Sequence, residues 1–292
     1  MNCNICPRNC NINRDETVGF CGTANTVKVA RASLHLWEEP CISGTNGSGT
    51  VFFSGCNLRC CYCQNEKISH HLFGKEITVK ELADIFIKLQ ENKAHNINLV
   101  TPSHYLLQIA KALDLVKDKL QIPVVYNCGG YEKVSSLKYA KNYVDVYLTD
   151  IKYYDNSLAE KYSNAKDYFE IAISALDEML TQKPKPVKDQ NGLLKSGVIV
   201  RHMVLPGHKD DSINLLRFLK QRYGTGKFIL SIMSQYTPYK ELPFKELNRK
   251  ITSLEYNRVI DEALDLGFAD SYMQDKKSAK KIYTPPFDLT GI

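Results

Sequence analysis

From Thr50 onward the chain alternates short apolar runs with amphipathic stretches, and this alternation restricts its fold more than any other feature. The runs Val51–Phe53, Ile97–Val100, Val124–Asn127, Val144–Thr149, Val198–Val204 and Phe228–Met233 have the length and β-branched content of buried strands. Residues 104–117, 167–181 and 212–223 read as helices between them. Thr78 with Glu81, and Thr252 with Glu255, are capping boxes that open two more, the second ending at Gly267. Six strands with helical or long connections predict an α/β fold on a parallel sheet. Residues 1–48 lack this pattern and read as a loop-like, cysteine-rich extension, leaving 49–292 as the main domain. Lys183–Pro186 reads as a surface loop.

A parallel sheet of this kind does its chemistry at the carboxyl ends of its strands. Polar groups recur there. A cysteine group follows the first strand, Thr101–His104 the second and Asn127–Tyr131 the third. Asp150 and Lys152 end the fourth, Arg201 and His202 lie in the fifth, and Ser234–Tyr236 closes the sixth. One shared site explains the recurrence.

"GCNLRCCYCQN", residues 55–65, holds four of the chain's ten cysteines. The N-terminus is polar and lacks the apolar segment of a secretory signal, and no run of about 18 apolar residues exists. The expected location is the cytoplasm, without membrane association. In that reducing compartment so many cysteines point to metal or redox chemistry rather than disulfides. The spacing Cys56-x3-Cys60-x2-Cys63 supplies three thiolates on one tight loop, with Cys61 out of register. Three thiolates suit a 4Fe–4S cluster with one open iron. Zinc is the other reading, although structural zinc wants four closed ligands.

This loop resembles the cluster loop of the radical S-adenosylmethionine (SAM) superfamily, including the aromatic Tyr62 before the last thiolate. The resemblance implies a partial (β/α)6 TIM-like barrel, with SAM chelating the open iron and cleaved reductively to a 5′-deoxyadenosyl radical. It also implies an electron donor such as flavodoxin or ferredoxin. "LTDIKYY" is similar to the Asp-x-Lys segment of the pyruvate formate-lyase-activating branch, which makes Asp150 and Lys152 SAM-binding residues. "VIVRHMVLPGH" resembles a strand of those activases and puts Arg201, with His202 beside it, near SAM. Thr101-Pro102-Ser103-His104 stands where the superfamily commonly has Gly-Gly-Glu, and Asn127-Cys128-Gly129-Gly130 where the activases have Asp-Thr-Asn-Gly. On that alignment Asn127 also faces SAM. Through "CPRNC", "EEPCISG", "NINLVTPSHY" and "MSQY" the chain looks most like pyruvate formate-lyase-activating-enzyme-like proteins. The implied activity is hydrogen abstraction, with a glycine of a partner glycyl-radical enzyme as the target. The alternatives are modification of a small molecule, nucleoside or peptide, and, in another class, a non-enzymatic iron–sulfur or zinc module.

Cys3, Cys6, Cys10 and Cys21 form a second group, with Cys41 nearby. They read as a metal site, either structural zinc or an auxiliary iron–sulfur cluster, with unligated thiols as the remaining reading. Gly44, Gly47 and Gly49 lack the Lys-Ser/Thr of a phosphate loop and read as a flexible connector. The net charge of +6 gathers at Lys276–Lys281, where no aromatic residues interleave, so nucleic acid is not an expected partner.

Overall fold

A computed structural model of the chain describes residues 2–274 and 284–292; the basic Lys276–Lys281 stretch lies outside the described residues. The strands are β1 (Val27–His35), β2 (Ser48–Phe53), β3 (Lys75–Ile77), β4 (Ile97–Val100), β5 (Val124–Cys128), β6 (Val146–Asp150), β7 (Val187–Lys188), β8 (Leu194–Met203), β9 (Ile229–Met233) and β10 (Tyr272–Met273). The α-helices are α1 (Pro40–Ser43), α2 (Glu66–Ser69), α3 (Val79–Glu91), α4 (Leu106–Val116), α5 (Val134–Ala140), α6 (Asn156–Ser163), α7 (Tyr168–Gln182), α8 (Lys209–Tyr223) and α9 (Ser253–Asp265). β2, β4, β5, β6, β8 and β9 are parallel neighbours in that order, the six expected strands. With their helices they make a partial (β/α)6 TIM-like barrel. β10 extends one edge in parallel, while β1 and β3 extend the other antiparallel. Both expected capping boxes form, at Thr78–Glu81 and Thr252–Glu255.

The extension differs from its loop-like reading. Val27–His35 is a nine-residue strand paired to β2, and the expected boundary between residues 48 and 49 falls inside β2. Its buried residues are Val27, Val29, Ala30 and Ala32. Alanines and serines replace bulky β-branched residues, and a bulge near Val29 breaks the period-two alternation that marks a strand. The Gly44–Gly49 stretch is not a loose connector either. Gly44 has φ +50 and caps α1, and a Cβ on Gly49 would stand 2.8 Å from the Asn96 carbonyl.

Alternation along the central strands sorts their side chains into two layers. Leu99, Tyr126, Tyr147, Val198, Val200, Leu230 and Ile232 pack under the helices. Val125, Val146, Leu148, Ile199 and Ile229 face the barrel interior, where Cys41 and Ile42 of α1 fill the space between them. Above this apolar plug the interior turns polar, with Asn98, Asn127, Asp150, Arg201 and Ser231 on the same face. Among the described residues no helix is long and apolar enough to cross a membrane.

Candidate active site

The loop after β2 turns sharply at Gly55. Its φ is +91, and a Cβ there would meet the Cys21 carbonyl oxygen at 2.8 Å. Only glycine fits that turn, which carries the cysteine loop over the strand ends. Cys56, Cys60 and Cys63 line a single cavity together with Tyr62, Asn127, Asp150, Lys152 and Arg201. Its volume of about 170 Å³ far exceeds the roughly 10–15 Å³ that one water needs on this measure, so it has room for an organic cofactor. Cys61 does not line that cavity, and its backbone N–H donates to the Tyr162 carbonyl at 2.8 Å.

Each of the three lining sulfurs has protein donors, and the backbone of Arg59 and of Asn65 adds one each at Cys56 and Cys63. The Leu58 N–H reaches Cys56 Sγ at 3.3 Å, the Ser163 hydroxyl reaches Cys60 Sγ at 2.9 Å, and the Ser69 hydroxyl reaches Cys63 Sγ at 3.3 Å. Burial pushes the Cys56 thiol up to about 12 and the Cys63 thiol up to about 11. Bound cationic metal would bring buried thiols of this kind to the thiolate. Among the described residues no three His, Cys, Asp or Glu side chains converge on a single-ion position. A 4Fe–4S cluster spreads its thiolates over several irons, and three sulfurs on one wall of a roomy cavity fit it.

The same cavity is lined by an ion network, with Glu38 behind it. Lys152 Nζ lies 2.5 Å from Asp150 Oδ2, and Arg201 Nε donates to Asp150 Oδ1 at 2.9 Å. Arg201 also donates to Asn127 Oδ1 at 2.7 Å and reaches Glu38 Oε2 at 3.3 Å. Burial opposes ionisation of Asp150, but Arg201 and Lys152 outweigh it and hold the carboxyl below its ordinary range. Burial also opposes the Lys152 charge, and Asp150 outweighs it, so the ammonium persists. Glu38 and Glu39 are pushed up by burial, with Arg201 pulling the other way. Glu39 Oε2 is buried with no hydrogen-bond partner, while the Asn98 side chain faces Glu38. The charges of Asp150, Lys152 and Arg201 at the cavity wall suit the amine and carboxylate of an amino-acid cofactor.

Not every expected residue reaches the cavity. His202 points to the other face of β8, where Nδ1–H donates to the Ile151 carbonyl at 2.7 Å and Nε2 accepts from Ser212 at 2.8 Å. It is 1% exposed, a satisfied core histidine. Thr101 lines the cavity with φ +60, and behind it Ser103 donates to Glu132 Oε1 at 2.5 Å. Glu132, from the loop after β5, is buried behind this corner and does not line the cavity. Burial raises the Glu132 carboxyl to about 7, against hydrogen bonds from Ser103 and Tyr126.

The N-terminal cysteines sit beside the cluster loop. A Cβ on Gly19 would stand 3.4 Å from Cys10 Sγ and 3.7 Å from Cys21 Sγ, and Cys6 shares that neighbourhood. Cys3 is pinned by backbone bonds to Ile12 and Asn11. Arg8 reaches from this segment to the carbonyls of Asn57 at 2.7 Å, Asn164 at 2.5 Å and Ser163 at 3.2 Å. Sequence reasoning missed Glu38, Arg8, Ser69 and Ser163. The one available signal was the adjacent acids of "EEPC", set between an aromatic and an apolar run.

Comparison with known proteins gives the family. The chain is 34% identical to an uncharacterized protein of Methanocaldococcus jannaschii over 285 residues, 94% of this chain and 76% of that one. It is 31% identical to the pyruvate formate-lyase-activating enzyme of Clostridium pasteurianum over 124 residues, 39% of this chain and 50% of that enzyme. Among solved structures, Streptococcus suis SuiB bound to the precursor peptide SuiA superposes with a TM-score of 0.51 at 13% identity, over 75% of this chain and 46% of SuiB. Residues 50–219, more than half of the chain, match the radical SAM superfamily, whose members use a 4Fe–4S cluster and SAM. The cysteine loop after β2 and Asn127, Asp150, Lys152 and Arg201 lie within that span, and the chain belongs to the radical SAM superfamily.

Proposed function

We propose that Cys56, Cys60 and Cys63 hold the 4Fe–4S cluster, and that Asp150, Lys152, Arg201 and Asn127, with Glu38 behind Arg201, hold SAM beside it for hydrogen abstraction from a glycine of a partner protein. The observation that carries this reading is that three sulfurs line one cavity at the strand ends together with Asn127, Asp150, Lys152 and Arg201. Bound there, cluster and SAM supply reductive sulfonium cleavage and a hydrogen-abstracting 5′-deoxyadenosyl radical. Lys152 and Arg201 offer donors to the SAM carboxylate, and Asp150 offers an acceptor to its amine. Tyr62 supplies an aromatic wall next to the sulfurs. The plug of Cys41 and Ile42 closes the barrel from below, so the target enters from the strand-end mouth, where a polypeptide loop has access. Partial identity to the activase of Clostridium pasteurianum supports a protein target. The reductant is a low-potential donor such as flavodoxin or ferredoxin, and the compartment the cytoplasm. Cys3, Cys6, Cys10 and Cys21 take a second metal that braces the cluster loop, an iron–sulfur cluster rather than zinc, since among the described residues no three such side chains converge on a single ion.

Anaerobic reconstitution, followed by dithionite and SAM, tests the core of this reading. Methionine and 5′-deoxyadenosine should form. Lys152→Ala should keep its iron yet lose about 1.5–3 kcal/mol of SAM binding, roughly ten- to a hundredfold. A fully loaded protein that yields no deoxyadenosine and shows no spectral change with SAM defeats it.

A further inference from the structure

Cys60 is one end of a buried line of hydroxyls that SAM binding and cleavage do not employ. Ser163 Oγ lies 2.9 Å from Cys60 Sγ, Tyr153 Oη lies 2.6 Å from Ser163 Oγ, and Tyr62 Oη lies 2.6 Å from Tyr153 Oη. Ser163 and Tyr153 are both 0% exposed, so no water competes for these bonds. A metal-bound thiolate can only accept, so Ser163 must spend its single proton on sulfur. Ser163 then accepts from Tyr153, which in turn accepts from Tyr62. Proton counting alone fixes the direction of the whole chain, and each link polarises the next toward sulfur.

The other two sulfurs lack this arrangement. Cys56 takes backbone N–H groups from Leu58 and Arg59, and Cys63 takes one from Asn65 and the hydroxyl of Ser69, which also lies 2.8 Å from His70 Nδ1. The position of Ser163 is itself enforced. It is the last residue of α6, Asn164 turns left-handed after it with φ 52, and Arg8 grips both carbonyls. Tyr153 is walled in by Tyr168, with ring centroids 5.4 Å apart.

We propose that Ser163 and Tyr153 are positioning residues that raise the reduction potential of the cluster through the sulfur of Cys60. The inference rests on the reading that Cys60 is a cluster ligand. When the cluster gains one electron from an external low-potential donor, part of the added charge falls on its sulfurs. A hydroxyl aimed at sulfur favours that reduced state. Tyr153 acts although it touches no sulfur, because it polarises and orients Ser163.

The test is a potentiometric titration, followed by electron paramagnetic resonance, of reconstituted wild type, Ser163→Ala, Ser163→Thr and Tyr153→Phe. Iron and sulfide content is measured first. Ser163→Ala should lower the reduced-to-oxidised ratio at fixed potential about tenfold, ~59 mV for one electron. Tyr153→Phe should shift it the same way by less, and Ser163→Thr, which keeps the hydroxyl, should restore most of the wild-type value. Should Ser163→Ala fail to load, Tyr153→Phe decides alone, since it keeps the ring and drops only the hydroxyl. Fully loaded Ala and Phe variants with the wild-type potential overturn the proposal. A Cys60→Ala protein that retains the whole cluster would instead defeat the ligand assignment, a separate outcome.

Discussion

Arg201 and His202 are adjacent on β8 and serve opposite layers. Arg201 turns inward to Asp150 and Asn127, while His202 turns under the helices, bonded to the Ile151 carbonyl and to Ser212. A strand's period of two separates neighbours in this way, so the resemblance that placed Arg201 at SAM could not also place His202 there. Burial holds His202 down to about 4, against the hydrogen bond to Ile151 that favours its charge. Its unfolded value is near 6.5, so the unfolded chain takes up a proton first as pH falls. The stability that neutral His202 secures is present above pH 6.5 and is lost as pH drops toward 4, on the order of 3 kcal/mol in all. His104, held down to about 3 by burial, acts in the same sense. His202→Asn keeps an amide where Nδ1–H was and removes the titration. Urea midpoints at pH 7 and pH 4.5 should therefore diverge less in the variant than in wild type. Equal losses in the two proteins would show that His202 does not titrate on unfolding. Glu38 was illegible for a different reason: it lies in a loop before the first parallel strand, and only the tertiary fold brings it to Arg201 at 3.3 Å.

Elements with strong local signals were legible, and those defined by partners were not. Both capping boxes formed where a threonine precedes a glutamate by three, and the six apolar runs became the six parallel strands. β1 and the short α6 carry weak signals and exist because a sheet edge and a cluster loop receive them. The N-terminal segment illustrates this dependence. Arg8 spreads its guanidinium over the carbonyls of Asn57, Ser163 and Asn164, with its carbon 3.9 Å from the Phe20 ring centroid. It thereby ties a cysteine-rich loop to both the cluster loop and the end of α6. Three fixed directions suit a planar fork and not a single ammonium. Arg8→Lys should fold yet release iron to a chelator about ten times faster than wild type, in line with losing roughly 1.5 kcal/mol of charge-assisted bonding. Absorbance of the iron–chelator complex over time measures it. Release at the wild-type rate would mean that the extension lies on the loop without bracing it.

At the scale of the molecule, the two ends of the chain meet on β1. Ala32 N–H donates to the Thr290 carbonyl and Leu289 N–H to the Ala30 carbonyl, each near 3 Å. Arg31 pairs with Asp288 at 2.7 Å, and Phe287 packs edge-on against Phe52, ring centroids 5.4 Å apart. Nothing local in "TPPFDLTGI" announces this docking, because its partners lie some 255 residues away. β1 is therefore held from both sides, by β2 in the barrel and by the C-terminal residues. An extension held in that way should unfold with the barrel as one unit. The chain's single tryptophan, Trp37, lies two residues past β1 and reports on that edge by fluorescence, while circular dichroism reports on the helices. The two signals should change at the same denaturant concentration. Phe287→Ala removes a 6%-exposed ring and should cost about 3–5 kcal/mol, moving both midpoints down together. If Trp37 instead melts well before the helices, in wild type or in the variant, then β1 and the residues before it form a unit of their own, and the division expected near residue 48 is energetically real despite the shared sheet.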